Sequence, residues 1–82
     1  MPDAAGSRDW ISLALAVFFL VVGVRDLLAE PPNPEAASWE LMFAAANALL
    51  YWTAKGGPRW ARTVGYALFF GGVLAAVADL FL

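Results

Sequence analysis

Between Trp10 and Val24 the chain carries no charge and a single hydroxyl, that of Ser12. Continued through Arg25 and Asp26 to Leu28, this run amounts to 19 residues, or about 28 Å of helix, enough to cross the hydrocarbon of a bilayer. A second run, from Thr63 to Leu82, supplies twenty residues with one charge, Asp79. A water-soluble domain of 82 residues would have to hide both runs in a core that a chain of this length builds only marginally. The hydrophobic fraction, 62% against a usual ~45–50% in soluble domains, is gathered into long segments instead of being spread along the chain. The pattern predicts an all-α integral membrane protein forming a single domain over residues 1–82.

Two breaker clusters divide the chain into three parts. Glu30-Pro31-Pro32-Asn33-Pro34 cannot be helical, because each proline removes a backbone donor and pushes its predecessor toward extended geometry. Asn33 is placed to cap a following helix, with Pro34 at its first position and Glu35 in its first turn, where a carboxylate complements the helix dipole. Lys55-Gly56-Gly57-Pro58 ends that helix: the glycines suit a left-handed cap, Lys55 sits in the last turn, and Pro58 opens the next helix. The predicted spans are therefore 10–28, 34–55 and 58–82, the middle one interrupted by Glu40 and Asn47. Residues Met1 to Asp9, with Pro2, Gly6 and Ser7, read as a frayed arm. The first span is expected to remain as an anchor, since Leu27-Leu28-Ala29 does not offer the small-residue pattern of a cleavage site.

Charge sets the expected orientation. Lysine and arginine in short loops are retained on the cytoplasmic side, and Arg8, Lys55, Arg59 and Arg62 all fall at one end of the three spans, with only Arg25 at the other. An up-down-up bundle follows, with the N-terminus cytoplasmic and the C-terminus outside. Trp10, Trp52 and Trp60 would then sit at the inner interface with Tyr51 and Tyr66 deeper, and Trp39 at the outer one. Lys55, Arg59 and Arg62 act as topogenic charges or contacts to anionic headgroups. Usage of alanine, glycine, proline and arginine suggests a prokaryotic inner or plasma membrane.

Helices in lipid gain little from burying apolar surface against one another, so close packing depends on small residues. Ser12, Ala16, Gly23 and Asp26 share a face of the first span, and Glu40, Ala44, Asn47, Tyr51 and Ala54 a face of the second. On the third, Ala67, Gly71 and Ala75 form a ladder leading to Asp79, with Gly65 and Gly72 on a neighbouring stripe. Phe18, Leu41, Leu49 and Phe69 are left to face lipid.

The chain has no cysteine and no histidine. Thiolate nucleophiles, disulfides and the commonest general base and metal ligand are thereby absent, and no enzyme, metal or cofactor is expected. The net charge of −2 gives no footing to a nucleic-acid partner. Arg25, Asp26, Glu40 and Asp79 approach one boundary at similar depth from three different spans, with Asn47 about 10 Å deeper on the face of Glu40. They form either an outward-facing cation or proton site, or a structural set in which Arg25 neutralises Glu40 or Asp79 and Asn47 bonds across to another helix. Two functions follow from these alternatives. One is a non-catalytic accessory or assembly subunit, or self-associating bundle, that works through its helix faces in a homo-oligomer or larger membrane complex. The other is a homo-oligomeric transporter or cation channel using the acidic site. A holin-like permeabilising protein also fits the size, without the basic tail such a role would use.

Overall fold

The computed structural model describes residues 4–82, with side chains from Trp10 onward, as three helices and two short turns. Helix α1 spans Ala4–Leu28, α2 spans Pro34–Ala54 and α3 spans Arg59–Phe81. The expected arm is thus helical from Ala4: Ala4 and Ala5 favour helix, and Gly6 costs only about 1 kcal/mol against a helix otherwise well formed. Its first three residues lie outside the described part. α1 ends at the expected Leu28, and α2 and α3 end within one residue of expectation.

Both turns owe their form to the residues in them. At the first, the Asn33 side-chain oxygen accepts from the Ala36 backbone N–H at 3.2 Å, with Pro34 opening the helix behind it. The Asn33 N–H in turn donates to the Asp26 carbonyl at 2.9 Å, tying the start of α2 to the last turns of α1. The Glu30–Pro31 peptide is cis. At the second turn Lys55 is the cap, not part of the last helical turn. Gly56 takes φ +98°, its N–H donates to the Thr53 carbonyl at 3.1 Å, and the Gly57 N–H donates to the Trp52 carbonyl at 2.8 Å. These paired bonds close the helix in a Schellman motif, whose left-handed residue has to be glycine or pay in strain. Pro58 stands just outside α3 with extended geometry, φ −67° and ψ 156°, where it caps the helix it was expected to begin.

Turns of four and five residues leave each helix antiparallel to the next, and the contacts show the register. Along α1 and α2, Gly23 meets Leu41 and Phe19 meets Phe43; along α2 and α3, Trp39 meets Asp79, Phe43 meets Gly72, and Leu50 meets Gly65. α2 packs on both of its neighbours, whereas among the described residues α1 and α3 do not pack on each other. The middle helix is therefore the spine of an elongated bundle with extents 46 × 22 × 20 Å.

The interior is made of small residues. Ala16, Ala36, Ala37, Ala44, Ala46 and Ala61 are buried, and no large side chain is fully enclosed. The outside is the reverse: Phe18, Val21, Phe70 and Leu74 are each more than half exposed. Two helices, α1 from Trp10 to Leu28 and α3, are long and apolar enough to cross a membrane. α2 is not among them. At 21 residues its length, about 31 Å, suffices; what lowers its apolarity is Glu35, Glu40 and Asn47, with the polar edges of two tryptophans and a tyrosine.

Candidate functional site

Three acidic residues expected at one boundary lie at the same end of the bundle. Asp26 lies in the last turn of α1, Glu40 in the second turn of α2 and Asp79 in the last turn of α3, and the antiparallel register brings these three places to one end. Glu40 is only 6% exposed, and its Oε1 is buried with no hydrogen-bond partner. Its acidic neighbours at this end are Asp26 of α1 and Asp79 of α3. Two flanking helices do the burying: α2 reaches this level between α1 and α3, so a side chain on its inner face finds helix on either side.

Asp79 has a partner that sequence reasoning assigned elsewhere. Trp39, expected as an interfacial anchor, is half-buried and donates its indole N–H to Asp79 Oδ2 at 2.9 Å. A tryptophan placed near a span end reads as an anchor by composition alone; only the α2–α3 register reveals the bond. Below it the Trp39 ring stands edge-on to Phe43, with centroids 5.9 Å apart, and Phe43 also touches Phe19 of α1 at 5.3 Å and Phe69 of α3 at 5.4 Å. Phe43 is the hub of an aromatic layer that separates the acidic end from the rest of the bundle, and nothing in the spacing of the phenylalanines singled it out.

Other expected members stand apart. Arg25 is exposed and makes no ion pair with Glu40 or Asp79, because its position on α1 points away from α2 while the next residue, Asp26, points toward it. Asn47 is buried, but its amide donates to the Phe43 carbonyl of its own helix at 2.8 Å instead of crossing to a neighbour. The preceding turn of a helix offers a carbonyl within reach of such an amide.

Among the packing residues, Ala16, Gly23, Ala44, Gly65 and Gly72 are buried and Ser12, Gly71 and Ala75 are half-buried. Ala67 is exposed, so the close stripe of α3 runs through Ala61, Gly65 and Gly72 toward Asp79, and not along the ladder starting at Ala67. Leu41, expected against lipid, instead fills the space left by the missing side chain of Gly23. Phe18 and Phe69 are exposed, as an outward face requires, and Leu49 is half-buried.

At the opposite end the basic residues hold aromatic rings. Lys55 Nζ lies 5.7 Å from the Tyr51 ring centre and the Arg62 guanidinium 5.8 Å from that of Tyr66, while Trp52 and Trp60 meet edge-on at 5.6 Å. Arg59 is exposed. A cavity of about 430 Å³ opens here, lined from all three helices by Ser12, Leu50, Thr53, Ala54, Arg62 and Tyr66. A second, almost wholly apolar groove of about 290 Å³ runs between α1 and α2 over Ala16, Leu20, Leu41 and Ala44. Among the described residues no group of three acidic side chains is placed to hold a metal ion.

The arrangement defines a small all-α bundle with an acidic cluster at one end, a basic aromatic collar at the other and apolar flanks between. No known protein family, no curated protein and no solved structure matches the chain.

Proposed function

We propose that the chain is an integral membrane protein whose three helices all cross the bilayer, up-down-up, with the N-terminus cytoplasmic and the C-terminus outside. It works without catalysis, as an accessory or assembly subunit or a self-associating bundle, through the faces of α1 and α3. One observation carries this reading: the molecule has small residues inside and large apolar ones outside, the inverse of a water-soluble core. In lipid the inversion is what close helix packing needs, since backbones approach through alanine and glycine while bulky side chains face the acyl chains. It also accounts for α2. A helix with Glu40 in its second turn and Asn47 deeper is poorly suited to lipid alone, and here both residues are buried between flanking helices. The Lys55, Arg59 and Arg62 end is the cytoplasmic one on this reading, in a prokaryotic inner or plasma membrane.

The absence of cysteine makes the topology directly testable with single-cysteine variants. Pro32→Cys should react with a membrane-impermeant maleimide on intact cells, and Thr63→Cys only after permeabilisation. Recovery of the chain from the soluble fraction, or labelling in the opposite sense, would refute the topology. The particle mass after mild-detergent extraction, with co-purifying chains identified by mass spectrometry, tests the function: a monomer without partners contradicts it. The buried Glu40 carboxyl favours a second reading, a homo-oligomeric transporter or channel, in which Glu40→Gln and Asp79→Asn abolish flux while leaving assembly intact.

A further inference from the structure

Glu40 presents an accounting problem that its own helix does not solve. The side chain is 6% exposed and Oε1 has no donor, so a full negative charge there would be both dehydrated and unpaired. The charged groups around it are all of the same sign. From α1 it faces Asp26; from α3 it faces Asp79, whose Oδ2 already accepts from Trp39. On α2 itself the nearest charge is Glu35, exposed in the groove that also borders Asp79. Arg25, the one cation at this end, is exposed and outside the cluster.

Ionised carboxylates only accept hydrogen bonds, so two of them cannot bond to each other; one carboxylic acid and one carboxylate can, through a single shared proton. A metal ion would need a set of ligands that the described acidic residues do not form. We propose that Glu40 and Asp26 form a proton-binding site that holds one proton between α2 and α1, with Asp79 as the third charge tuning it from α3. Uptake adds one proton from water to the pair and breaks no other bond. Release leaves two like charges in contact on two helices, so proton loss and separation of α1 from α2 at this end are coupled. The site belongs to a single chain, and its existence does not depend on whether the bundle associates.

The test uses the full chain in mild-detergent micelles and dicyclohexylcarbodiimide, which attacks protonated carboxyls shielded from water. The expected result is one adduct per chain, mapped to Glu40 or Asp26, whose yield falls to background as the pH is raised. Glu40→Gln should abolish it, and Glu35→Gln should leave it unchanged. An adduct that maps elsewhere, or that survives Glu40→Gln, overturns the proposal. Independently of how Glu40→Gln folds, the wild-type protein supplies a second measurement by infrared spectroscopy. A protonated-carboxyl C=O band that shifts in D2O and vanishes with rising pH is expected, and its absence across the whole titration overturns the site.

Discussion

Gly23 and Gly71 pose the same steric question with opposite expected answers. A Cβ placed on either would come within 2.6 Å of a neighbour on α2. At Gly71 the atom met is Met42 Cε, the last atom of an unbranched side chain, which a change at χ3 alone moves aside. At Gly23 the atoms met are Leu41 Cδ2 at 2.6 Å and Cγ at 2.8 Å, with the Leu41 backbone nitrogen at 3.5 Å. Cγ is fixed by χ1, and a leucine in a helix has few χ1 wells to choose from. Ordinary contact begins near 3.4 Å, so Gly23→Ala must open the α1–α2 seam or rotate Leu41 out of it. Overpacking of this kind costs about 1–3 kcal/mol, against about 0.5–1 kcal/mol gained by replacing glycine in a helix. The expected net loss is about 0–2.5 kcal/mol for Gly23→Ala, centred a little above 1, and between no change and a gain of about 1 kcal/mol for Gly71→Ala. Unfolding by SDS titration in mixed micelles, followed by tryptophan fluorescence and far-UV circular dichroism, measures both. A double-mutant cycle isolates the cause, because Gly23→Ala should cost nothing further once Leu41→Ala has emptied the slot. Equal effects at the two glycines, or a Gly23→Ala cost that persists in the Leu41→Ala background, would refute the reasoning.

Three further expectations rest on single contacts and can be measured in the same titration. Trp39→Phe keeps an aromatic ring against Phe43 but removes the donor to Asp79, and should cost about 1.5–3 kcal/mol as a hydrogen bond to a charged group; Asp79→Ala should then cost little more in that background. Asn33→Ala removes the bond to the Ala36 N–H and should cost about 1 kcal/mol, with Asn33→Asp close to neutral. Gly57→Ala would bring a Cβ to 2.8 Å from the Trp52 carbonyl oxygen, an atom fixed by the helix itself, and should destabilise more than Gly71→Ala, whose Cβ meets only the movable end of Met42.

Apart from the start of α1, the helix limits were legible because they are set by local chemistry. Proline at 31, 32 and 34 stops one helix, Asn33 starts the next, and Gly56-Gly57 ends it; each acts within a turn of its own position and needs no tertiary context. The meeting of Asp26, Glu40 and Asp79 was legible for a related reason, since short turns force antiparallel neighbours and equalise depth along them. What stayed hidden is rotational. Small residues occur all around α3, so spacing alone did not choose between a stripe through Ala67 and one through Gly65 and Gly72. A rotation of one residue, about 100°, also separates Arg25 in solvent from Asp26 in the cluster. The partners of Trp39 and Asn47 were hidden for the same reason: a donor in a helix names no acceptor until the faces are fixed.

The least apolar helix holds the central place, and the order of the chain makes that arrangement economical. With turns too short to let α3 cross over α1, the second helix must lie beside both of the others, and whatever it carries inward is screened from two sides. In the membrane proposed for this chain, polar groups on α1 or α3 would meet lipid over most of the helix circumference, and on α2 over the least. Glu40 and Asn47 stand on the helix that can best bury them, and Asp26 and Asp79 come in only from the ends, where a charge in a bilayer costs least. The alanines at 36, 37, 44 and 46 bring the flanking helices close enough to complete that screen. Enlarging one of them, as in Ala46→Leu at a fully buried position, would therefore disturb more than local packing: by spreading α3 from α2 it would open the aromatic layer around Phe43 that closes the acidic end off from the rest of the bundle.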